Sequence, residues 1–437
     1  MKITIINPLA PKGDVIKGRL RQPLCLAGIA SILRNKGHEI KLIDMNAMEM
    51  ETSPVVHETE YLIITSSPMD RWETPYLDLT NAYKVIKTYK DIGAKIILTG
   101  PHGTLTPDEI FSKSKDIDII LRGETEETVS ELFEHLDDLK TVKGLSYRDK
   151  GKIAHNEDRE LIKDLDVLPL PAYDLLPMDK YNYNVNEDLL PSPFTIVETS
   201  RGCPYNCIFC LKVMHGGRKY RVKSPEKVIE ELKYLQDKFQ IKSVYFQDLE
   251  FTIDKDRVRK ICDLMAKKGI KLNWACAARV NDMDDSLVEI MAKAGCKSIS
   301  FGVESLSRKI LNNIQKGTTP EMIANAYEIC RKHGVNPNSF YTQGHYGETK
   351  ATMTESLKNA YKFNIPHPLN RGAEIIPYPG TQLFEMGKKE GVIKEGTWDE
   401  IKQLRGKIGT EPDYKKTTLK ALSYFILAKI KRYAKKA

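Results

Sequence analysis

Three cysteines stand within eight positions of "TSRGCPYNCIFC" (199–210): Cys203, Cys207 and Cys210. Thiolates this close serve one of three chemistries: a structural zinc site, a disulfide framework, or an iron–sulfur cluster with one iron left open. The other five cysteines, Cys25, Cys262, Cys276, Cys296 and Cys330, fall inside or at the ends of predicted helices and strands, where a thiol packs as a small apolar group. Eight cysteines in 437 residues, with no secretory leader pattern, point to a reducing compartment; disulfides are excluded and a cytoplasmic location is expected. Structural zinc needs a fourth protein ligand, and His215 is the close candidate. Three thiolates in one loop fit better with a cluster whose open iron binds and reduces a ligand.

Elements of a particular kind must position such a loop. The apolar run "FTIVETS" (194–200) leads into the cysteines, and further runs follow at 243–248, 271–278, 298–305, 338–344 and 373–379. Amphipathic stretches at 225–239, 255–268, 284–294, 319–333 and 352–363 separate them. Six strand–helix repeats predict a partial (β/α)6 TIM-like barrel over residues 194–390, with its chemistry at the carboxyl ends of the strands. The cysteine loop follows the first strand.

An earlier alternation fills residues 1–140. "ITIIN" (3–7), "EIKLID" (39–44), "YLIITSS" (61–67), "KIILTG" (95–100) and "IDIILRG" (117–123) read as buried parallel strands, with helical patterns at 23–36, 76–91 and 124–139. This is a doubly wound, Rossmann-like or flavodoxin-like α/β domain, which binds ligands beyond the carboxyl ends of its strands. Asn7–Gly13, Ser66–Trp72, Gly100–Thr104 and Gly123–Thr125 are the loops there. Residues 141–193 read as a hairpin turning at Asp149–Gly151 and a proline-rich surface connector; 391–437 read as a short basic helical segment.

The net charge of +8 sits mostly at that end: residues 411–437 hold eight Lys or Arg and two acidic residues. The body is near neutral, so a nucleic-acid partner is not expected. No run approaches the ~18 apolar residues of a membrane span. Leu419, Leu422, Phe425, Ile426, Ile430 and Tyr433 recur at helical spacing, which predicts a final helix packed on the barrel, with a membrane-surface helix as the rival.

With these pieces in view, the chain resembles the radical S-adenosylmethionine enzymes that carry a cobalamin (B12)-binding domain, and within them the class B methyltransferases. The resemblance rests on Cys203-x3-Cys207-x2-Cys210 with Phe209, on "INPLAP" (6–11), "LTGPHGT" (98–104) and "LRGETEET" (121–128), and on "FQDLEFTIDKDRV" (246–258), "FGVES" (301–305) and "PYPGTQLFE" (377–385). It implies a 4Fe-4S cluster on the three cysteines. The open iron chelates S-adenosylmethionine, and reductive cleavage yields a 5′-deoxyadenosyl radical. It implies that Phe209 flanks the adenine and that Asp248 and Glu250 lie near the methionine amino group. Arg279 would pair with the methionine carboxylate, and Glu304 would reach the ribose hydroxyls or the amino group.

Asn7, Ser66, Ser67, Gly100, Pro101, His102, Gly123 and Glu124 would then surround cobalamin. The Asp-x-His-x-x-Gly motif is absent, so the resemblance implies cobalt without a histidine lower ligand, facing the loop that holds Met69 and Arg71. "GHYGET" (344–349) replaces a Gly-Leu-Pro-Gly-Glu-Thr-like turn, which points His345 and Tyr346 toward substrate; Tyr341 and Gln343 share one side of the preceding strand and are placed there too. The function implied is C-methylation of an unactivated carbon through methylcobalamin in an anaerobic organism. A ferredoxin or flavodoxin would donate the electron to a monomeric enzyme. The substrate implied is a peptide or protein side chain, such as a glutamine of methyl-coenzyme M reductase, before a lipid or small molecule. The rivals are a cobalamin-dependent cyclase and a zinc-bound nucleic-acid module.

Overall fold

Near-continuous runs of Ile, Leu and Val build the first sheet. The computed structural model describes residues 1–11, 19–68, 75–183, 188–367, 373–411, 423–424 and 426–427. Strands β1 (Lys2–Asn7), β2 (Glu39–Asp44), β3 (Tyr61–Thr65), β4 (Lys95–Thr99) and β5 (Ile119–Leu121) run parallel in the order β2-β1-β3-β4-β5. Apart from the edge strand β2, where Glu39 and Lys41 are exposed, they carry apolar side chains to both faces, as strands buried on both sides do. Ile6, Ile64 and Leu98 from the strands pack with Val85, Ile86 and Tyr89 of the helix Thr80–Asp91. The expected helices appear at Leu24–Asn35, Thr80–Asp91 and Glu126–Leu132. The last is shorter than its periodicity suggests, ending before Asp137 and Asp138, which favour turns over helix interiors. Two short helices, Pro101–Leu105 and Pro107–Lys113, each begin on a proline that fits the first helical turn.

The hairpin β6 (Leu145–Asp149) and β7 (Lys152–His155) joins the free edge of β5 antiparallel and makes the sheet seven-stranded. The proline-rich connector does more than run along the surface. Ile162, Leu165, Tyr173 and Tyr181 are buried, and the Tyr181 hydroxyl donates to Asp44 at 2.9 Å.

The second sheet has six strands whose order follows the chain: β8 (Phe194–Val197), β9 (Ser243–Phe246), β10 (Asn273–Ala278), β11 (Cys296–Glu304), β12 (Asn336–Gln343) and β13 (Ala373–Glu374). Its described pairings are parallel, as a partial barrel requires. The helices fall at Pro225–Phe239, Lys255–Lys267, Asp285–Lys293, Pro320–Lys332 and Lys350–Lys362. Each opens on a side chain that accepts from its first-turn amides: Ser224, Asp254, Asp284, Thr319 and Thr349.

The chain divides into two compact units. Residues Met1–Cys203 and Lys212–Leu249 form one; Pro204–Leu211 and Glu250–Ala437 form the other. In the second, Tyr424 packs against Met353 and Leu357 and lies 6.2 Å from the Tyr361 ring centre, while Ile426 and Leu427 are exposed. Leu419, Leu422, Phe425, Ile430 and Tyr433 lie outside the described residues.

Candidate functional site

In the second unit a group of charged side chains gathers around the loop that carries Cys207, Phe209 and Cys210. The loop is pinned from both sides: the Ile208 amide donates to Ile314, and the Ile208 carbonyl accepts from Leu383. Arg279, leaving the end of β10, lays its guanidinium over the Tyr205 ring at 3.8 Å. Its Nη1 stands 3.8 Å from Cys207 Sγ, and Nη2 donates to the Lys316 carbonyl. The Arg279 Nε is buried without a partner, as are Glu250 Oε2, Asp282 Oδ2, Thr318 Oγ1 and His345 Nδ1. Buried polar atoms are nearly always satisfied, so these five atoms take their partners from outside the chain, from a bound ligand or from ordered water. Burial pushes the Glu250 carboxyl up to about 8, against the pull of Lys316 and Arg279.

Glu304 ends β11 in the left-handed region, at φ 58°, where the register with β12 shifts. Non-glycine residues held there are strained, and such positions cluster at functional sites. Its carboxylate pairs with Lys316 Nζ at 3.3 Å and accepts from Thr342 Oγ1 at 2.6 Å. Gly302 makes room for that pair: a Cβ at 302 would lie 2.7 Å from Lys316 Nζ and 2.9 Å from Glu304 Oε1. Thr342 Oγ1 also meets His345 Nε2 at 2.7 Å, and the His345 ring stands edge-on to Phe209 at 5.4 Å.

Tyr341 lies instead against His367 at 4.6 Å, on the side where His367 meets Ser356 of the helix Lys350–Lys362. Gln343 is buried, and its carbonyl accepts from Ile375. Tyr346 turns outward and donates to Glu390. Lys316, Thr342, Tyr205 and Asp282 join this group without having been among the residues expected from the sequence. Only Tyr205 carried a signal, its place between two of the cysteines.

The first unit holds the approach to Cys203. Asp248 is buried and accepts from the Thr199 amide at 2.7 Å, from Thr199 Oγ1 at 2.5 Å and from Ser200 Oγ at 2.7 Å. All its described bonds anchor the chain that leads to the cysteine. Arg201 next along is ringed by Glu198, Glu126 and Glu124; burial works against its charge, and the three carboxylates hold it protonated. All eight cysteines are unbridged. Among the described residues, no three His, Cys, Asp or Glu side chains converge on a point where a single metal ion would sit.

The remaining candidates line the carboxyl ends of β1, β3, β4 and β5. Asn7 donates to Asp44 at 2.8 Å and leaves its buried Oδ1 unpaired. Gly100, at φ 109°, sits where a Cβ would strike Ser66 Oγ at 2.6 Å and the Ser67 carbonyl at 2.9 Å. Pro101 opens the short helix beyond it, and His102 is buried with Nδ1 3.0 Å from Ser66 Oγ and Nε2 2.8 Å from the Tyr76 carbonyl. Burial pushes His102 down to about 3, so it is neutral. The Gly123 amide donates to Thr104. Glu124 is engaged elsewhere: Arg221 grips it with two bonds of 2.8 Å, and the Ile162 amide donates to it. Gly123 and Glu124 line a cleft with Cys25, Gly28, Pro169 and Arg201. Met69, Arg71 and Trp72 lie outside the described residues.

A family model described as the Radical SAM superfamily matches residues 197–360, and one described as a B12 binding domain matches residues 20–133. An uncharacterized methyltransferase of Pyrococcus horikoshii, PH0819, is 34% identical over 411 residues, covering 91% of this chain and 85% of that protein. The anaerobic magnesium-protoporphyrin IX monomethyl ester cyclase of Rubrivivax gelatinosus is 28% identical over 324 residues, covering 71% of this chain and 57% of the cyclase. Among solved structures, the radical S-adenosylmethionine methyltransferase TsrM from Kitasatospora setae, with cobalamin and a 4Fe-4S cluster bound, aligns with a TM-score of 0.67 at 16% identity. The alignment covers 89% of this chain and 75% of TsrM.

Proposed function

Because the chain belongs to the radical S-adenosylmethionine methyltransferases with a B12-binding domain, we propose that it methylates an unactivated carbon of a peptide or protein side chain. The observation that carries the S-adenosylmethionine part of this reading is the set of buried, unpartnered polar atoms in the unit that holds Cys207: Arg279 Nε, Glu250 Oε2, Asp282 Oδ2 and His345 Nδ1. They offer a donor and several acceptors to a ligand that has both a carboxylate and an ammonium group, as S-adenosylmethionine does.

Cys203, Cys207 and Cys210 would hold the cluster. Arg279 sets a cation beside one of its sulfurs and faces the methionine carboxylate. Glu250, protonated at neutral pH without ligand, would give up that proton as the ammonium group arrives, and Glu304 would meet the ribose hydroxyls, its direction fixed by Lys316 and Thr342. Asp248 acts one step back, by holding Thr199 and Ser200. When bound, the cluster supplies the electron that cleaves S-adenosylmethionine, and cobalamin carries a methyl group to the carbon from which hydrogen has been removed.

Asn7, Ser66, Ser67, Gly100 and Pro101 would line the cobalamin site, where the unpaired Asn7 Oδ1 is an acceptor for an amide of the corrin. His102 supports cobalt without a histidine lower ligand, since both its ring nitrogens are engaged within the protein. A small one-electron carrier such as ferredoxin or flavodoxin is the donor in this reading. Among the described residues no helix is long and apolar enough to cross a membrane.

The 28% identity to a cyclase favours one second reading, in which the same cofactors close a ring without methyl transfer. Trideuteriomethyl S-adenosylmethionine separates the two. Reconstituted protein, reductant and a peptide digest should yield 5′-deoxyadenosine and a peptide carrying the labelled methyl on carbon. Deoxyadenosine without labelled product from peptides overturns the methylation of a peptide side chain.

A further inference from the structure

The geometry around Thr342 determines which nitrogen of His345 carries hydrogen. Thr342 has one hydroxyl proton and two neighbours, Glu304 Oε2 at 2.6 Å and His345 Nε2 at 2.7 Å. The Glu304 carboxylate, paired with Lys316, only accepts, so the hydroxyl proton goes there. The Thr342 oxygen must then accept from an Nε2–H of His345. Burial pushes His345 down to about 4, so the ring is neutral and has a single N–H. Its Nδ1 is therefore a bare lone pair, buried and without a partner.

The ring is held in this pose. Its turn is tied by the Gly344 amide donating to Glu348 Oε2, by Glu348 N donating to the His345 carbonyl and by Gly347 N donating to Gly409. The edge of the ring meets Phe209, the residue before Cys210.

We infer that His345 Nδ1 accepts a hydrogen bond from a neutral N–H or O–H of the adenosyl group of bound S-adenosylmethionine, with Thr342, Glu304 and Lys316 as the positioning residues that fix its tautomer. A neutral acceptor suits a neutral donor, and the adenosyl group offers the adenine amine and the ribose hydroxyls. The charged ends of the methionine moiety are better met by Glu250 and Arg279. This inference rests on the proposed function, because it takes S-adenosylmethionine as the ligand of the cysteine loop.

The test uses anaerobically reconstituted full-length protein with its cluster oxidised, so that S-adenosylmethionine stays intact. In protein with nitrogen-15-labelled histidine, the His345 ring should show the Nε2–H tautomer at neutral pH; the Nδ1–H tautomer overturns the inference. Equilibrium dialysis with labelled S-adenosylmethionine then compares two substitutions. His345→Asn places an amide oxygen where Nδ1 was and should bind within about threefold of wild type. His345→Gln reaches Thr342 but leaves no acceptor at the Nδ1 position, and should bind about five- to tenfold more weakly. Equal binding by wild type and His345→Gln overturns this inference alone. Wild-type protein that binds no S-adenosylmethionine overturns both it and the reading beneath it.

Discussion

Arg279 stands with one guanidinium nitrogen 3.8 Å from Cys207 Sγ while its plane covers the Tyr205 ring. A single cation thus touches two residues of the cysteine loop, and its Nε remains unsatisfied. Arg279→Lys keeps the charge and loses the planar fork. The expected result is at least about a tenfold loss of S-adenosylmethionine affinity with iron content unchanged. Iron content and equilibrium dialysis on the same sample check it. Loss of iron with affinity per cluster intact would instead assign Arg279 to holding the loop.

Gly302 gives a steric prediction. An added methyl falls within 3 Å of both members of the Lys316–Glu304 pair. Gly302→Ala should lower stability by about 1–3 kcal/mol, and weaken S-adenosylmethionine binding by displacing Glu304. Thermal melts and dialysis check the two effects. An unchanged melting temperature and affinity would mean the pair yields without cost.

Much of this architecture was legible in the sequence, and the exceptions have physical causes. Apolar runs such as "YLIIT" and "KIILT" carry the parallel strands, because burial on both faces leaves no other composition workable. The cysteine spacing and "FGVES" pointed to the loop and to the strand end whose Glu304 pairs with Lys316. Lys316 was invisible because it follows a six-residue helix, Arg308–Asn313, with no pattern to fix its direction. Thr342 was hidden by the register shift between Gly302 and Glu304: simple alternation placed Tyr341 and Gln343 toward the site, and Thr342 between them is the residue that reaches Glu304. Glu124 looked like a loop carboxylate open to a ligand, but its partner Arg221 lies 97 residues away, a distance over which local patterns say nothing.

Asp248 supplies a stability prediction. It accepts three hydrogen bonds from Thr199 and Ser200, just ahead of Cys203. Asp248→Ala leaves those donors without their acceptor and should cost about 2 kcal/mol or more. Cluster incorporation should fall as well, because the chain leading to the first cysteine loosens. Chemical denaturation and iron analysis report the two losses, and full iron content at wild-type stability would contradict the anchoring role.

Glu250 predicts a pH dependence whose sign follows from burial pushing its carboxyl up to about 8, from an ordinary value of 4.5. Between these values the folded protein keeps a proton that the unfolded chain has lost. Its contribution to stability is therefore present at low pH and is lost as pH rises from about 4.5 to about 8. Glu250→Gln removes this loss. The variant should gain melting temperature relative to wild type at pH 8.5, and the gain should shrink at pH 5. A gap that widens toward acid pH would show that Glu250 is ionised in the fold.

The most direct test of the central claim is metal content after anaerobic reconstitution with iron, sulfide and hydroxocobalamin, followed by desalting. Wild-type protein should hold about four irons and one cobalt per chain, and Cys207→Ala should lose iron while keeping cobalt. Iron without cobalt in the wild type, or full iron retention in Cys207→Ala, would contradict it.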